Sequence, residues 1–317
     1  MIPKITLRQS RDFGEIINDA IVFIIQNWKG LLKAYAILCG FFIAGNILFS
    51  ILLQFKVINT HKESLGGSGS YIRSPFGIEY FMVMIFGFLN VIASTLTVSS
   101  FVVIYNQKKG ELPTVHEVWG YFKYYFWRVS GSMLLLFLMA IPTVIICVLP
   151  AAAMSLVSPV AAGFTGLICV MVPMCYFMTV LSLFFPIMIG ENSSFGRTFG
   201  KCFKLIKKKW WSTFGVIFVI IILVYTVYLL FAIPSFIISG GTLTFLPYNV
   251  SSVVVIIYCI CMSVVQIVNI VPVTGLMVAY YSYVEDKESI GLMERIMTPL
   301  TSDKDDDGEA TKLKEEY

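Results

Sequence analysis

Two long stretches without a charged side chain limit what this chain can fold into. No Asp, Glu, Lys or Arg occurs at 129–190 or at 212–284, and the whole chain is 57% hydrophobic and only 13% charged. A transmembrane helix needs about 20 consecutive apolar residues, so each stretch is long enough to cross a bilayer twice. A soluble domain has about 25% charged residues, which it uses to cover its surface. The sequence therefore predicts an integral membrane protein of the all-α class.

Two further apolar runs in the first third of the chain bring the predicted number of transmembrane helices to six. The predicted spans are 34–55, 80–105, 130–149, 167–189, 214–237 and 253–283. We predict a single membrane domain at 1–300, followed at 301–317 by a disordered, acidic, cytoplasmic tail. Proline removes a helical hydrogen bond, and Pro272 is expected to break or tilt the last span.

Lys and Arg are distributed unevenly between the two sides of the predicted spans. They concentrate at 1–33, 106–128 and 191–209, whereas the loops on the other side hold few of them. Short cytoplasmic loops of membrane proteins carry an excess of Lys and Arg. Both termini are therefore predicted to be cytoplasmic.

An amphipathic stretch precedes each predicted pair of spans and divides the chain into three similar units. The first and third stretches align without a gap from Phe13 and Phe195 onward, and Thr114 with Glu117 predicts a capping box at the start of the second. Because each unit contains two spans, all units have the same orientation, which makes this a parallel repeat. Each stretch is predicted to be an amphipathic helix in the membrane interface. The predicted repeats are at about 10–105, 112–190 and 192–285.

The basic amphipathic stretch at 195–211 is the strongest candidate for a functional surface. A basic residue near an anionic leaflet contributes about 1 kcal/mol, and Trp favours the headgroup level. Two alternatives stay open, namely an anchor that only fixes the topology and a docking surface for a cytoplasmic protein. The residues predicted at the lipid-headgroup interface are Trp28, Lys29, Trp127, Arg128, Lys204, Lys207, Lys208, Lys209, Trp210 and Trp211.

Amide side chains inside the spans suggest a second candidate site. Asn90, Gln266 and Asn269 are candidates to line a cavity for a neutral or lipid-like molecule. The alternative is that they hold helices together, at about 0.6 kcal/mol for each interhelical hydrogen bond. The predicted spans contain no charged residue, and this argues against a proton-coupled transporter.

The sequence contains no recognisable catalytic or cofactor motif. It has 2 His, and no Gly-x-Ser-x-Gly elbow, phosphate loop or dinucleotide fingerprint occurs. The Cys residues are interpreted as small apolar side chains. We predict no enzyme activity, no cofactor and no metal site. The net charge of +4 is too small to predict a nucleic-acid partner.

Two segments resemble known bacterial membrane proteins. The segment RDFGEIIND at 11–19, followed by QNWK at 26–29, resembles a group of uncharacterised six-span membrane proteins of Bacteroidota. The segment at 191–211 resembles a wider superfamily that includes the membrane domain attached to some glycerophosphodiester phosphodiesterases. The resemblance implies a multi-pass protein of the bacterial inner (plasma) membrane. It carries over no catalytic site, because the phosphodiesterase barrel would need about 250 further residues.

Taken with the resemblance, the sequence favours a non-enzymatic membrane protein that organises lipids or partner proteins at the cytoplasmic face. Its expected partners are membrane lipids, anionic ones among them, and a membrane or cytoplasmic protein. The alternative is a transporter or channel for a lipid-like or neutral small molecule. A membrane-embedded enzyme is the least favoured class.

Overall fold

The computed structural model describes residues 5–65, 77–156, 158–207, 209–237 and 248–288. Within these ranges the chain forms helices and no strand, as predicted for the all-α class. Lys208 and the predicted tail at 301–317 lie outside the described residues. The helices, in chain order, are α1 (Phe13–Leu65), α2 (Ile78–Gln107), α3 (Val115–Ser155), α4 (Pro159–Leu181), α5 (Phe184–Gly190), α6 (Phe195–Ile206), α7 (Trp210–Ile237), α8 (Tyr248–Val265) and α9 (Ile270–Glu288).

Six helical segments are long and apolar enough to cross a membrane, which confirms the predicted number of spans. Each predicted span overlaps one of them, and α4 with α5, like α8 with α9, forms a single span. By length and composition the chain is a multi-pass membrane protein. The segments are Phe13–Val57, Ile78–Gln107, Val115–Ser155, Val160–Gly190, Trp210–Ala232 and Val253–Glu288.

One end of the helical bundle collects most of the basic residues. There the backbone N–H of Arg11, just before α1, donates to Ser282 Oγ of α9 at 2.9 Å. At the same end Arg128 of α3 contacts Asn192, which follows α5. Helix α6 also lies here, and we call this the basic end of the bundle.

The first two amphipathic stretches are not separate helices, contrary to the prediction. Helix α1 runs unbroken from Phe13, and α3 runs unbroken from its capping box at Thr114, so each stretch continues directly into its span. Neither junction contains a proline to end the helix. The third stretch does form a helix of its own, α6. The cluster Lys204, Lys207 and Lys208 follows the spacing at which like charges destabilise a helix.

The second half of helix α2 is enclosed by its neighbours. Most of its residues from Asn90 to Tyr105 are buried, because α1, α3, α5 and α9 pack around it. Small side chains in this stretch, such as Ala93, let neighbouring helices approach closely. Phe23 of α1 meets the ring of Tyr105 edge-on, with centroids 5.0 Å apart.

The last span is interrupted close to Pro272, as predicted. In a continuous α-helix the proline ring would clash with the carbonyl of Val268, four residues earlier. The chain instead makes a 3-10 turn, Gln266–Asn269, between α8 and α9. This turn places Gln266 among α1 and α2.

Helices α3 and α4 form a hairpin whose outer half packs on little besides itself. The buried residues of α3 all lie in its first half, and the last of them is Ser132. Farther along, apolar side chains such as Phe137 and Ile146 are 63% and 65% exposed. Such a surface suits contact with lipid acyl chains.

Candidate functional site at the basic end

Helix α6 lies at the basic end with an apolar side and a basic side. Phe195 packs against Phe184 of α5 at 5.2 Å between ring centroids, and Cys202 and Leu205 are fully buried. Arg197 and Lys204 point the other way and are exposed. The alternation of apolar and basic residues at helical spacing therefore presents cations along one side of α6.

Lys201, on the same basic side, joins α6 to two carboxylates. Its Nζ lies 2.8 Å from Glu191 Oε1 and 2.7 Å from Glu288 Oε1. Burial disfavours the charged ammonium, but the hydrogen bonds to both carboxylates outweigh burial and raise the pKa of Lys201 above its ordinary value. Lys201 therefore stays protonated at neutral pH and ties α6 to α9.

Tyr280 of α9 completes this polar cluster. Its hydroxyl donates to Glu191 Oε1 at 2.9 Å, and the side chain is buried. Gly190 lies against it so closely that an added Cβ would sit 2.9 Å from a Tyr280 ring carbon. A glycine at this position thus allows α5 to approach α9.

Two hollows adjoin at Lys201 and Glu288. The first, which we call the charged cavity, has a volume of about 320 Å³ and is bounded by α2, α5, α6, α9 and the segment before α1. The second, which we call the basic groove, has a volume of about 600 Å³ and lies between α6 and α9. The ionic side chains of the groove are Arg197, Lys201, Lys204, Lys287 and Glu288.

The segment before α1 forms one wall of the charged cavity through Arg8. Arg11 fixes this segment in place, because its buried guanidinium donates to the carbonyl of Leu7 at 2.7 Å and pairs with Asp19 at 2.7 Å. Leu7 itself is buried in the core. Arg8 is therefore held at the cavity by a folded segment of chain.

The predicted headgroup residues do not come together in one site. Lys204 lines the basic groove, but Lys209 forms an ion pair with Asp286 of α9 and so connects two helices. Lys207 is exposed at the end of α6. Arg128 Nη1 donates to Asn192 Oδ1 at 2.7 Å.

The tryptophans form an outward-facing set instead. Trp28, Trp127 and Trp211 are 53%, 81% and 78% exposed, and Lys29 Nζ lies 5.8 Å from the Trp28 ring centroid. Trp210 is partly buried and stacks on Phe214 at 5.4 Å. Exposed tryptophans in a membrane protein favour the headgroup level.

Within the spans, the structure brings together two of the three predicted cavity residues. Asn90 Nδ2 donates to Gln266 Oε1, and Gln266 Nε2 donates to Asn46 Oδ1 at 3.3 Å. Tyr35 adds a bond to the carbonyl of Gln266 at 3.1 Å. We call these side chains the amide cluster. Asn269 instead lies near the Tyr228 side chain of α7.

The sequence reasoning missed the acidic half of the site at the basic end. Glu191 and Glu288 stand at the ends of spans, far apart in the chain, and only the packing of α5 and α6 on α9 brings them to Lys201. The signal that was available is their position, since Glu191 is an isolated acid directly after a long apolar stretch and Glu288 belongs to the short charged segment that follows another. Arg8 and Tyr281, which also line the charged cavity, gave no such signal.

The chemistry of the site is that of binding ions and polar groups. Burial raises the pKa of the Cys202 thiol to about 12, so this cysteine is not a thiolate at neutral pH. Within the described ranges no group of three or more His, Cys, Asp or Glu is arranged to hold a metal ion. A search of protein families, of curated proteins and of solved structures gave no match to this chain.

Proposed function

We propose that this protein binds anionic lipid headgroups in the basic groove and thereby organises lipids at the cytoplasmic face of a bacterial inner membrane. The observation that carries the proposal is the excess of cations over carboxylates in the groove. Lys201 is neutralised by Glu191 and Glu288, and Lys287 donates to the carbonyl of Lys204. Arg197 and Lys204 are the exposed cations that an anionic headgroup would meet first.

The position of the groove favours lipid over a soluble anion. Trp28, Trp127 and Trp211 are exposed on the helices that begin at the basic end, and exposed tryptophans in membrane proteins favour the headgroup level. The concentration of Lys and Arg at this end favours a cytoplasmic orientation, and the cytoplasmic leaflet carries the anionic lipids. The three predicted parallel repeats would then each begin at this leaflet, where a partner protein can also dock.

The test compares binding of anionic and neutral lipid to the purified full-length chain. Nanodiscs or mild detergent with added phosphatidylglycerol or phosphatidylcholine are analysed by native mass spectrometry. The variant carries Arg197→Gln and Lys204→Gln. At about 1 kcal/mol for each cation, its affinity for phosphatidylglycerol should fall by about thirtyfold, with little change for phosphatidylcholine.

The matched control carries Lys29→Gln and Lys123→Gln, which remove two cations that lie over tryptophan rings and away from the groove. It has the same net charge as the groove variant, so it separates a specific groove from a general attraction to negative lipid. If both variants lose the same affinity, or if the groove variant binds phosphatidylglycerol like the wild type, the groove is not a headgroup site.

The amide cluster favours a second candidate, a transporter or channel for a neutral or lipid-like molecule. Gln266 lies on the 3-10 turn, and its polar contacts reach α1 and α2. A pathway there would expose the cluster to water. With the native cysteines replaced, Gln266→Cys should then react with a membrane-impermeant maleimide in proteoliposomes. Failure to label in any condition, while a cysteine at Lys207 labels, would count against transport.

A further inference from the structure

We propose that the charged cavity binds a zwitterion that carries a phosphate and a primary ammonium, the chemistry of a phosphoethanolamine headgroup. This goes beyond anionic-lipid binding in the basic groove, because it concerns a different hollow and a different ligand class. The two hollows share only Lys201 and Glu288. Each can therefore be altered without the other.

The charges in the wall of the cavity do not cancel in pairs. Lys201 is the single ammonium between the carboxylates of Glu191 and Glu288, so this cluster has one negative charge more than it has positive ones. Elsewhere in the wall, Arg8 makes no ion pair with any carboxylate in the described part of the chain. The cavity thus has a surplus of each sign. A ligand with both charges satisfies both surpluses at once.

The cationic side of the cavity has the donors that a phosphate needs. Arg8 lies close enough to the Tyr281 hydroxyl for an electrostatic interaction, and Gln107 is in the same wall. Gln107 Oε1 accepts a hydrogen bond from Tyr121 at 2.9 Å, which leaves its NH₂ group as a donor. A guanidinium beside an amide donor suits a phosphate, because guanidinium binds phosphate oxygens through paired hydrogen bonds.

The anionic side of the cavity has an acceptor for a primary ammonium. Lys201 and the Tyr280 hydroxyl both bond to Glu191 Oε1, and the other oxygen of this carboxylate, Oε2, accepts no hydrogen bond from a described residue. A primary ammonium has three N–H donors and can bond Oε2 directly. A quaternary ammonium, as in phosphocholine, has none. The cavity should therefore prefer a primary amine.

The cavity wall is preorganised. Arg11 is 4% exposed and holds the segment around Arg8 by bonds to the Leu7 carbonyl and Asp19. The backbone N–H of Arg11 also donates to Ser282 of α9. The side chain of Arg8 takes no part in these bonds, so Arg8 can be replaced without releasing the segment.

The experiment measures lipid retention by native mass spectrometry on the full-length protein with phosphatidylethanolamine, phosphatidylcholine and phosphatidylglycerol. The wild type should retain phosphatidylethanolamine in preference to phosphatidylcholine. Arg8→Gln should lower the affinity for phosphatidylethanolamine by about tenfold or more and leave the affinity for phosphatidylglycerol unchanged. Lys204→Gln should lower the affinity for phosphatidylglycerol and leave the affinity for phosphatidylethanolamine unchanged. Arg8→Lys should restore part of the lost affinity.

Three outcomes overturn the inference: equal retention of phosphatidylcholine, unchanged phosphatidylethanolamine binding in Arg8→Gln, or parallel loss of every lipid in that variant. Loss of phosphatidylglycerol binding in Lys204→Gln reports on the basic groove alone, so the two proposals fail separately. Added free phosphoethanolamine identifies the source of the ligand. If free phosphoethanolamine displaces phosphatidylethanolamine at equal concentration, the ligand is a soluble zwitterion. If it competes only weakly, the ligand is the lipid.

Discussion

The two parts of the bundle differ in how their helices are held together. Helices α1, α2, α7, α8 and α9 form a core in which buried small residues, tyrosines and the amide cluster connect neighbours. The α3–α4 hairpin has its buried residues near the basic end, and beyond Ser132 α3 has none in the described range. Both parts are equally apolar in sequence, so hydrophobicity alone does not decide which helices pack.

The two parts pack differently because lipid, and not water, surrounds the helices. In water a helix with this many apolar side chains would be driven into a core, but lipid tails are as apolar as leucine and give no such force. Close packing and interhelical hydrogen bonds decide instead. The core has both, whereas Thr143 in the hairpin bonds only to the carbonyl of Met139 in its own helix. Substitutions in matched pairs, one in each part, test this comparison.

The largest difference is expected for leucine truncation. Leu96 of α2 is fully buried, and Leu138 of α3 is 53% exposed. Leu96→Ala should lower the free energy of unfolding by about 2 kcal/mol or more, because the cavity it leaves has no lipid to fill it. Leu138→Ala should change it by less than about 0.5 kcal/mol. Unfolding in a mild detergent, followed by tryptophan fluorescence, measures both, and equal effects would place the hairpin inside a packed core.

A glycine pair tests close packing from the opposite direction. A Cβ added at Gly275 of α9 would sit 2.4 Å from Ile220 Cδ1, whereas nothing lies within 4 Å of one added at Gly163 of α4. Gly275→Leu should therefore destabilise by about 1–3 kcal/mol through overpacking, and Gly163→Leu should be nearly neutral. Thermal unfolding of the two variants gives the difference. A tolerated leucine at position 275 would mean that α7 and α9 are not in tight contact.

The number and placement of the spans could be predicted because they depend on local composition. A charge-free run of about 20 residues or more identifies a span wherever it occurs. Pro272 likewise predicts a break in the helix to within one turn. The separate interfacial helices could not be predicted correctly. Amphipathic periodicity identifies the apolar side of a helix, but it does not identify the residue at which the helix ends. Among the three stretches, only the third ends before its span, at Ile206, and this separates α6 from α7.

The candidate site was only half predictable for a similar reason. Basic residues on α6 are visible in the sequence because they repeat at helical spacing. Their partners depend on which helix ends meet, and Lys209 illustrates the consequence. It was predicted at the lipid-headgroup interface, and the sequence did not indicate the ion pair that it forms with Asp286 of α9. In the amide cluster, likewise, Asn46 joins Gln266 and Asn269 does not.

A smaller effect is expected where hydrogen bonds are removed. Gln266→Leu deletes the bonds to Asn90 and Asn46, while Thr143→Val deletes a bond within one helix. Interhelical bonds in membranes average about 0.6 kcal/mol and reach about 1.7 kcal/mol, so Gln266→Leu should cost about 1 kcal/mol. Thr143→Val should cost less. Denaturant titration in mixed micelles resolves the two, and a neutral Gln266→Leu would assign core stability to packing alone.

The smallest effect is expected where a polar contact fastens the hairpin. Arg128 donates to the side chain and carbonyl of Asn192, whose φ of 50° lies in the left-handed region that asparagine tolerates. The contact is partly exposed and has a neutral acceptor, so Arg128→Gln should cost less than about 1 kcal/mol. Lys123→Gln, on an exposed face of the same helix, is the control.

The reason for so small an effect is that apolar packing already attaches the hairpin at this point. Val118, Phe122 and Val129 of α3 are buried against the core on the same stretch of helix as Arg128. Crosslinking between α3 and α2 should therefore proceed at the wild-type rate in Arg128→Gln. If the variant instead loses the crosslink, the polar contact of Arg128 holds the hairpin in place. The two parts of the bundle would then differ in how strongly they are attached, and not only in their exposure to lipid.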